Sequence, residues 1–377
     1  MIGNPDSVHV RRWAEHFAAR GFDVHIVTFY PPQQTSPRGV TVDFLRRRAV
    51  NAGGGGGSSG TRDALSRFPG LLRLATATRL VQAGFRGTVA RLRPDLVHAH
   101  YVSDYGFLAA ITGRHPLVVS AWGSDLLVDP KRSVVTRAMV RWVLSRSQLV
   151  TYDSRQVAGA ARGLGARPAQ LLEVVMGVEE EYMKLASKAP PPARRAPLIV
   201  SLRSLERPLY NVELILRAMP DVLRAQPEAH LVIGNDGALR PHLEQVAAEL
   251  GVSGSVEFVG FVERPGALAE LLSRAAVYVS IPSSDGTSVT LLEAMAAGAY
   301  PVVSDLLSNG EWIDKGGGGL VRVGAPRELA AAIVRGLADP DRRESAARRN
   351  LDVVRSRGLW EQNMQRVEDA YRRLMRA

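Results

Sequence analysis

Two parallel β-sheets, each covered by helices and joined by a short linker, are the architecture that this 377-residue sequence predicts, and three observations carry the expectation. Short runs rich in β-branched residues alternate with longer amphipathic stretches, the pattern of strands fed by helices onto a parallel sheet. These units fall into two sets, separated by the proline-rich stretch Ala189-Pro-Pro-Pro-Ala-Arg-Arg-Ala-Pro197, whose semi-rigid composition suits a domain boundary. The length also suffices for two domains that each bury a core of their own.

The first set opens with a helix at about Val8 to Arg20, because Val10, Trp13, Ala14 and Phe17 recur on one helical face. Strands are expected at Asp23 to Thr28, Leu96 to His100, Leu117 to Ser120 and Leu149 to Tyr152. Between Val40-Thr-Val-Asp-Phe44 and the helical stretch after Thr61 lies Gly53 to Gly60, a low-complexity run. It reads as a mobile loop or as a lid over a substrate; no Gly-Lys-Ser/Thr follows it, so it is not a phosphate loop. The second set has strands at Leu198 to Ser201, His230 to Ile233, Val256 to Val259, Val277 to Ser280, Pro301 to Ser304 and Leu320 to Val323, and the chain ends on a helix from Trp360 to Met375.

Composition narrows the classes of function. With no cysteine, the chain has no disulfide, thiolate metal site or cysteine nucleophile. No apolar run reaches the length of a membrane span and no charged leader precedes a cleavage site, so the expectation is a cytoplasmic protein, with membrane association left open. The net charge of +11 is concentrated: residues 1–180 carry 23 Lys and Arg against 13 Asp and Glu, and residues 181–377 carry 25 against 24. That excess reads either as attraction to an anionic membrane surface or acceptor, or as an Arg-rich solvated surface. No helix shows a clean basic amphipathic face at this level. Nucleic acid is not an expected partner, since no recognition motif accompanies the charge. The eight histidines lack metal-ligand spacing, and no metal site is predicted.

The chemistry is densest in residues 282 to 313, where Asp285 and Glu293 stand eight apart with a Gly-Thr-Ser turn between them. Glu293 lies in Leu-Leu-Glu-Ala-Met-Ala-Ala-Gly, apolar on every helical face, so a bare carboxylate there costs several kcal/mol, on the order of a buried unpaired charge, unless something pairs with it. A ligand is the expected partner. Pro282 to Thr290 reads as a loop leaving a strand, with Ser288 or Thr290 as N-cap and the first-turn N–H groups left for an anion such as phosphate.

In these features the sequence resembles the retaining glycosyltransferases of family 4, within the glycosyl transferases of group 1, which have the two-domain GT-B fold and use nucleotide-sugar donors. In that family a Glu, seven residues and a second Glu mark the donor site; the spacing is kept here with Asp285 in the first position, one methylene shorter. The helix of the Glu-Ala-Met-Ala type, the Gly after it, the strand Pro301 to Ser304 and the segment Glu311-Trp-Ile313 follow in the family's order. The resemblance implies an α/β GT-B fold: two Rossmann-like domains with parallel sheets facing across an interdomain cleft. Residues 1–188 would form the acceptor-side domain, 189–197 the linker, 198–358 the donor-binding domain and 359–377 a helix crossing back to the first domain. Met1-Ile-Gly-Asn4 stands where family members end their first apolar strand, so that strand is expected to be missing or truncated here through a start assigned too late.

The family's site maps onto named positions. Arg203, in Ser201-Leu-Arg203, matches the Arg that neutralises the donor diphosphate; the Lys that follows it in the family is absent, and Arg207 either supplies the second charge or is a solvated loop residue. Asn235 and Gly237 lie in a segment similar to the family's Gly-Asp-Gly turn beside the nucleotide, and Phe261 in one similar to the segment whose backbone frames the base. Glu293 is assigned to the ribose diol, since one carboxylate can accept from two vicinal hydroxyls. Asp285, with the backbone of Gly286, Thr287, Ser288 and Val289, is assigned to sugar hydroxyls and to the charge of the departing phosphate. Arg203, Asp285 and Glu293 are therefore the expected catalytic set, set against readings of Glu293 as an internally satisfied carboxylate and Asp285 as a turn residue.

On the acceptor side, Ala121-Trp-Gly-Ser-Asp125 stands where many members have His-Gly-Ser-Asp, so Trp122 takes the place of the usual His. Strand alternation puts His98 and His100 on one face; His100 is either an acceptor-side group or a buried structural histidine. Asp125 is either a polar acceptor contact or a cap for the helix after it. Asp339-Pro-Asp341 mimics the metal motif of the other major glycosyltransferase fold but reads as a turn between helices. The implied function is retaining transfer of a hexose from a nucleoside diphosphate sugar to a lipid-linked or saccharide acceptor, in polysaccharide, glycolipid or glycoconjugate synthesis, without cofactor or metal. Alternatives on the same scaffold are a nucleotide-sugar epimerase and a non-catalytic binding subunit of a membrane assembly complex.

Overall fold

The computed structural model describes residues 1–45, 84–113, 115–263 and 265–376, and the glycine run Gly53 to Gly60 lies outside them. Contacts divide the chain into two compact units, Met1–Val174 with Met364–Ala377, and Val175–Asn363.

In the first unit the strands are β1 (Val24–Thr28), β2 (Val40–Phe44), β3 (Val97–His100), β4 (Leu117–Ser120), β5 (Leu149–Tyr152) and β6 (Leu171–Glu173). All pairings are parallel, β1 with β2 and β3 through β6 in chain order. The first residues of the chain lie between β1 and β3: Ile2 bridges both Val27 and Ala99, its N–H donating to His98 O at 2.8 Å and its carbonyl accepting from His100 N at 3.0 Å. The helix Val8–Ala19 buries Val10, Trp13, Ala14 and Phe17, the face its periodicity predicts. In the last helix, Trp360–Arg376, Met364, Val367, Ala370 and Tyr371 are buried, Tyr371 Oη accepts from Trp13 Nε1 at 3.1 Å and Glu368 pairs with Arg20. β6 has no counterpart in the sequence prediction, because Leu171-Leu-Glu173 lacks the β-branched residues that mark the other strands.

The second unit holds β7 (Leu198–Ser201), β8 (His230–Ile233), β9 (Val256–Phe258), β10 (Val277–Ser280), β11 (Tyr300–Ser304) and β12 (Gly319–Val321) in one parallel sheet of order β12-β11-β10-β7-β8-β9. Both faces are covered, which is why these strands read as continuous apolar runs. Ile199, Leu231, Val277 and Val302 pack on one face with Ile215, Met219 and Ile333. Their neighbours Val200, Val232, Tyr278 and Val303 pack on the other with Leu272, Leu291 and Met295.

The contact boundary at Val174 precedes the proline-rich stretch, which is fastened within the second unit. Buried Arg195 donates to the carbonyls of Ala275 and Ala297, and Arg343 donates to those of Pro192 and Ala193. The Arg195 guanidinium supplies donors to carbonyls that would otherwise be buried without one, so the stretch is strapped to the second unit although Pro190 and Pro191 stay exposed. Asp339 caps the helix Pro340–Arg357, accepting from Arg342 N at 2.8 Å, as expected of a turn between helices.

Candidate active site

From β7 the chain builds outward to β8 and β9, then returns and builds the other way from β10 to β11 and β12, so the strand order reverses between β7 and β10. In open parallel sheets the crevice at the carboxyl ends of the strands flanking such a reversal is where ligands bind. Arg203 leaves β7 at that point, and the loop carrying Asp285 leaves β10.

The two meet. Arg203 Nη2 donates to Asp285 Oδ2 at 2.5 Å and Nε donates to Ser280 Oγ at 2.5 Å, with the guanidinium 5.6 Å from the Tyr210 ring. Burial alone disfavours the Arg203 charge, but Asp285, aided by Tyr278 and Tyr210, outweighs it and raises the pKa above its ordinary value. Arg203 is therefore a fixed cation aimed along the strand ends.

The turn after Asp285 is held from three sides. Ser308 Oγ donates to Asp285 O at 3.0 Å, Trp312 Nε1 donates to Thr287 Oγ1 at 3.1 Å, and Ser288 caps the helix Val289–Ala296 by accepting from Leu291 N at 3.4 Å. Ser288, the first of the two predicted caps, is the one used, and Thr290 bonds its hydroxyl at 3.0 Å. A helix start leaves its first N–H groups without intrahelical acceptors, here those of Val289 and Thr290, beside Gly286. Glu293 lies one turn into this helix, 6% exposed, and its backbone carbonyl accepts from Tyr182 Oη at 3.0 Å. A second loop is stapled alongside: Asn211, at φ +52°, donates from Nδ2 to Ile281 O and Ser283 Oγ, both at 2.8 Å.

Gly237 is fixed by space. A Cβ there would stand 2.3 Å from Leu205 C and 2.4 Å from Glu206 N, so only glycine lets the turn lie against the loop carrying Arg203. Asn235 supports the same junction, donating from Nδ2 to Leu202 O at 3.1 Å. Phe261 is 69% exposed, an aromatic surface awaiting a partner or solvent. Arg207 forms no bond with Arg203 or Asp285 among the described contacts: it is solvent-exposed and lines a depression with Ser204, Glu213 and His242.

In the first unit the predicted acceptor-side residues gather at the carboxyl ends of β3 and β4. His98 and His100 share a face as alternation requires, with ring centroids 4.1 Å apart and both side chains buried. His98 is bonded to Ser120 Oγ at 2.7 Å and to Tyr371 Oη at 2.5 Å. His100 has no hydrogen-bond partner for either ring nitrogen among the described residues. Burial, with the chain's terminal ammonium and His9 adding to it, lowers its pKa to about 3. Trp122 is packed between two imidazoles, 6.0 Å from His100 and 4.7 Å from His9 by ring centroid.

Asp125 fits neither reading made for it. It lies inside the short helix Ser124–Leu127, fully buried, and its carboxylate accepts from Val102 N at 2.8 Å and Trp122 N at 3.1 Å. Burial raises its pKa to about 7 against those two bonds. It ties the loops after β3 and β4 together, and a carboxylate without exposed surface cannot meet an acceptor.

Several residues escaped the sequence reading. Ser280, Tyr210 and Asn211 were unremarkable as letters, and Trp312 was noticed only as part of a segment. Tyr101 gave no signal, yet it holds φ +101°, a strained value for a non-glycine residue, with its hydroxyl bonded to Ser124 at 2.9 Å and Asp129 at 3.1 Å.

Two units built on parallel sheets, the second with a cation, a carboxylate and a capped helix start at its strand reversal, have the architecture of the GT-B fold. Residues 7–176 match the glycosyl transferase 4-like domain and residues 196–339 match the glycosyl transferases group 1 domain. The chain is 30% identical over 409 residues to the D-inositol 3-phosphate glycosyltransferase of Kineococcus radiotolerans, covering 97% of this chain and 90% of that one. Among solved structures it is similar to sucrose-phosphate synthase from Thermosynechococcus elongatus, with TM-score 0.74 and 20% identity over 99% and 98% of the two chains. HepE from Anabaena, in complex with UDP, aligns with TM-score 0.72 and 17% identity over 99% and 98%. The chain belongs to the group 1 glycosyl transferases and is an enzyme of that family.

Proposed function

We propose that this glycosyltransferase moves a hexose from a nucleoside diphosphate sugar to a saccharide or lipid-linked hydroxyl, with retention at the anomeric carbon, in glycoconjugate synthesis. The observation that carries this reading is the Arg203–Asp285 pair at the strand reversal, next to the capped start of the helix Val289–Ala296. Arg203 presents five donors, and Ser280 and Asp285 engage two of its nitrogens, which leaves a fork for diphosphate oxygens. The helix start adds backbone N–H groups and the positive end of its dipole to the same negative charge. Charge on the departing diphosphate is thus met by the chain's own groups as it develops, so activity is expected to persist in a chelator. Asp285 orients sugar hydroxyls, and Glu293 takes the ribose diol. That the similarly folded HepE binds UDP supports a nucleotide ligand for this chain.

The test is to incubate the enzyme with UDP-, GDP- and ADP-hexoses without acceptor and follow slow turnover by proton NMR. Consumption of donors bearing one base, releasing sugar with the donor's own anomeric configuration and unaffected by EDTA, is expected. Release of the opposite anomer refutes retention, and consumption of none of them refutes the donor class.

A further inference from the structure

The helix Val134–Arg146 in the first unit has a surface that neither the fold nor the donor site uses. Its inner face, Thr136, Met139, Val140, Val143 and Leu144, is buried. Its outer face presents Val134, 84% exposed, and Trp142, 36% exposed, among the exposed Arg137, Arg141 and Arg146. At about 100° per residue, Val134, Ala138 and Ser145 run down the middle of this face, with Arg137 and Arg141 on one flank and Trp142 and Arg146 on the other. Trp142 stands edge-on to Phe107 at 5.6 Å, with the Arg146 guanidinium 5.7 Å from its ring.

Charge on this segment is of one sign. Between Asp129 and Asp153 there is no acidic residue, while Lys131, Arg132, Arg137, Arg141 and Arg146 are all basic. The neighbouring helix Tyr105–Thr112 carries no charge of either sign. Arg132 pairs with Asp129, but among the described residues Arg137, Arg141 and Arg146 form no ion pair. The expectation that no helix has a basic amphipathic face is corrected here. Valine and tryptophan on the outer face, added to the buried apolar face, blur the periodicity that would have revealed it in sequence.

We infer that this face docks the enzyme on an anionic phospholipid bilayer. A polyanion such as nucleic acid or an acidic protein surface would engage the arginines but give Val134 and Trp142 nothing to enter. A bilayer interface offers both: headgroup charge for the guanidiniums, and the acyl boundary for an aliphatic residue and an indole. The basic excess of residues 1–180, 23 Lys and Arg against 13 Asp and Glu, adds long-range attraction in the same direction. Each basic residue near such a surface contributes about fivefold to partitioning. Reversing two of them should weaken binding by about two to three orders of magnitude.

Flotation of the full chain with phosphatidylcholine vesicles, with and without phosphatidylglycerol, tests the inference, and it needs no nucleotide sugar, so its outcome is separate from that of the donor reading. The wild type should float only with phosphatidylglycerol, less so at high salt. R137E/R141E should lose at least about 100-fold, Val134→Asp about tenfold, and R335E/R355E, the same charge change on exposed residues of the second unit, less than about threefold. All variants are exposed-residue changes whose folding circular dichroism would confirm. Absence of flotation, or equal loss in the two double variants, overturns the inference. So does a Val134→Asp protein that binds like the wild type while duplex DNA binds both as tightly as vesicles do.

Discussion

Replacing Asp285 with alanine separates two roles of Arg203 that the structure superimposes, a partner for a carboxylate and a binder of diphosphate. The pair is 2.5 Å apart, with side-chain exposures of 12% for Arg203 and 24% for Asp285. A charge-assisted bond in such a setting lies between an exposed ion pair, worth up to about 1 kcal/mol, and a buried one, whose breaking costs about 3–5 kcal/mol. About 2 kcal/mol is therefore expected to be lost from the ligand-free enzyme, a roughly thirtyfold fall in the ratio of folded to unfolded chain. In the wild type a diphosphate must share Arg203 with Asp285; in the variant it meets an unpaired cation. UDP or GDP should consequently bind the variant more tightly, by up to about the same thirtyfold, and restore much of its stability, while sugar transfer is lost with the carboxylate. Urea unfolding with and without nucleoside diphosphate, together with calorimetric Kd values, measures all of this. A variant as stable as the wild type to within about 0.5 kcal/mol, or one that binds diphosphate more weakly, would refute the reasoning.

Trp312→Phe keeps an aromatic ring but removes the pyrrole N–H with its 3.1 Å bond to Thr287 and part of a buried indole; stability should fall by about 1 kcal/mol or more and the KM for donor rise severalfold, read by urea titration and initial rates. Gly237→Ala forces a Cβ to within 2.3 Å of backbone, and unfolding should show a loss of about 3 kcal/mol or more; a smaller loss means that the two loops separate freely. For His100 the folded pKa of about 3 lies below the ordinary 6.5, so its contribution to stability is complete above pH 6.5 and is lost as pH falls toward 3. His100→Phe should therefore flatten the acid limb of the stability profile, by at most about 5 kcal/mol at about 1.36 kcal/mol per pH unit, and an unchanged limb would show that His100 does not titrate as burial requires.

What was legible in the sequence was local. Glu293 was visible because an apolar helix isolates a carboxylate, and Asp285 because its turn and helix cap are neighbours in the chain. Strands of the second sheet showed as apolar runs because both faces are covered. Contacts between distant residues were not legible: Trp312 reaching Thr287, Asn211 stapling Ile281 and Ser283, and Asp125 holding the backbone of Val102 rather than meeting an acceptor. The fastening of the proline-rich stretch, which reads in sequence as a semi-rigid linker, was not legible either, because Arg195 and Arg343 bond to carbonyls that any residue would supply. For Arg207 the sequence leaves two readings, a second charge for diphosphate or a solvated loop residue, since spacing gives a side chain's distance along the chain and not its direction.

The central claim is that Arg203, the turn from Asp285 to Val289 and Glu293 form one nucleotide-sugar site. Titration calorimetry of UDP, GDP and ADP against the wild type and a folded Glu293→Ala variant tests it most directly. Selective binding of one of the three by the wild type, weakened at least about tenfold in the variant, is the predicted result, since a carboxylate's bonds to ribose hydroxyls are worth about 1.5–3 kcal/mol. A folded wild type that binds none of them, or a variant that binds as tightly as the wild type, would contradict it.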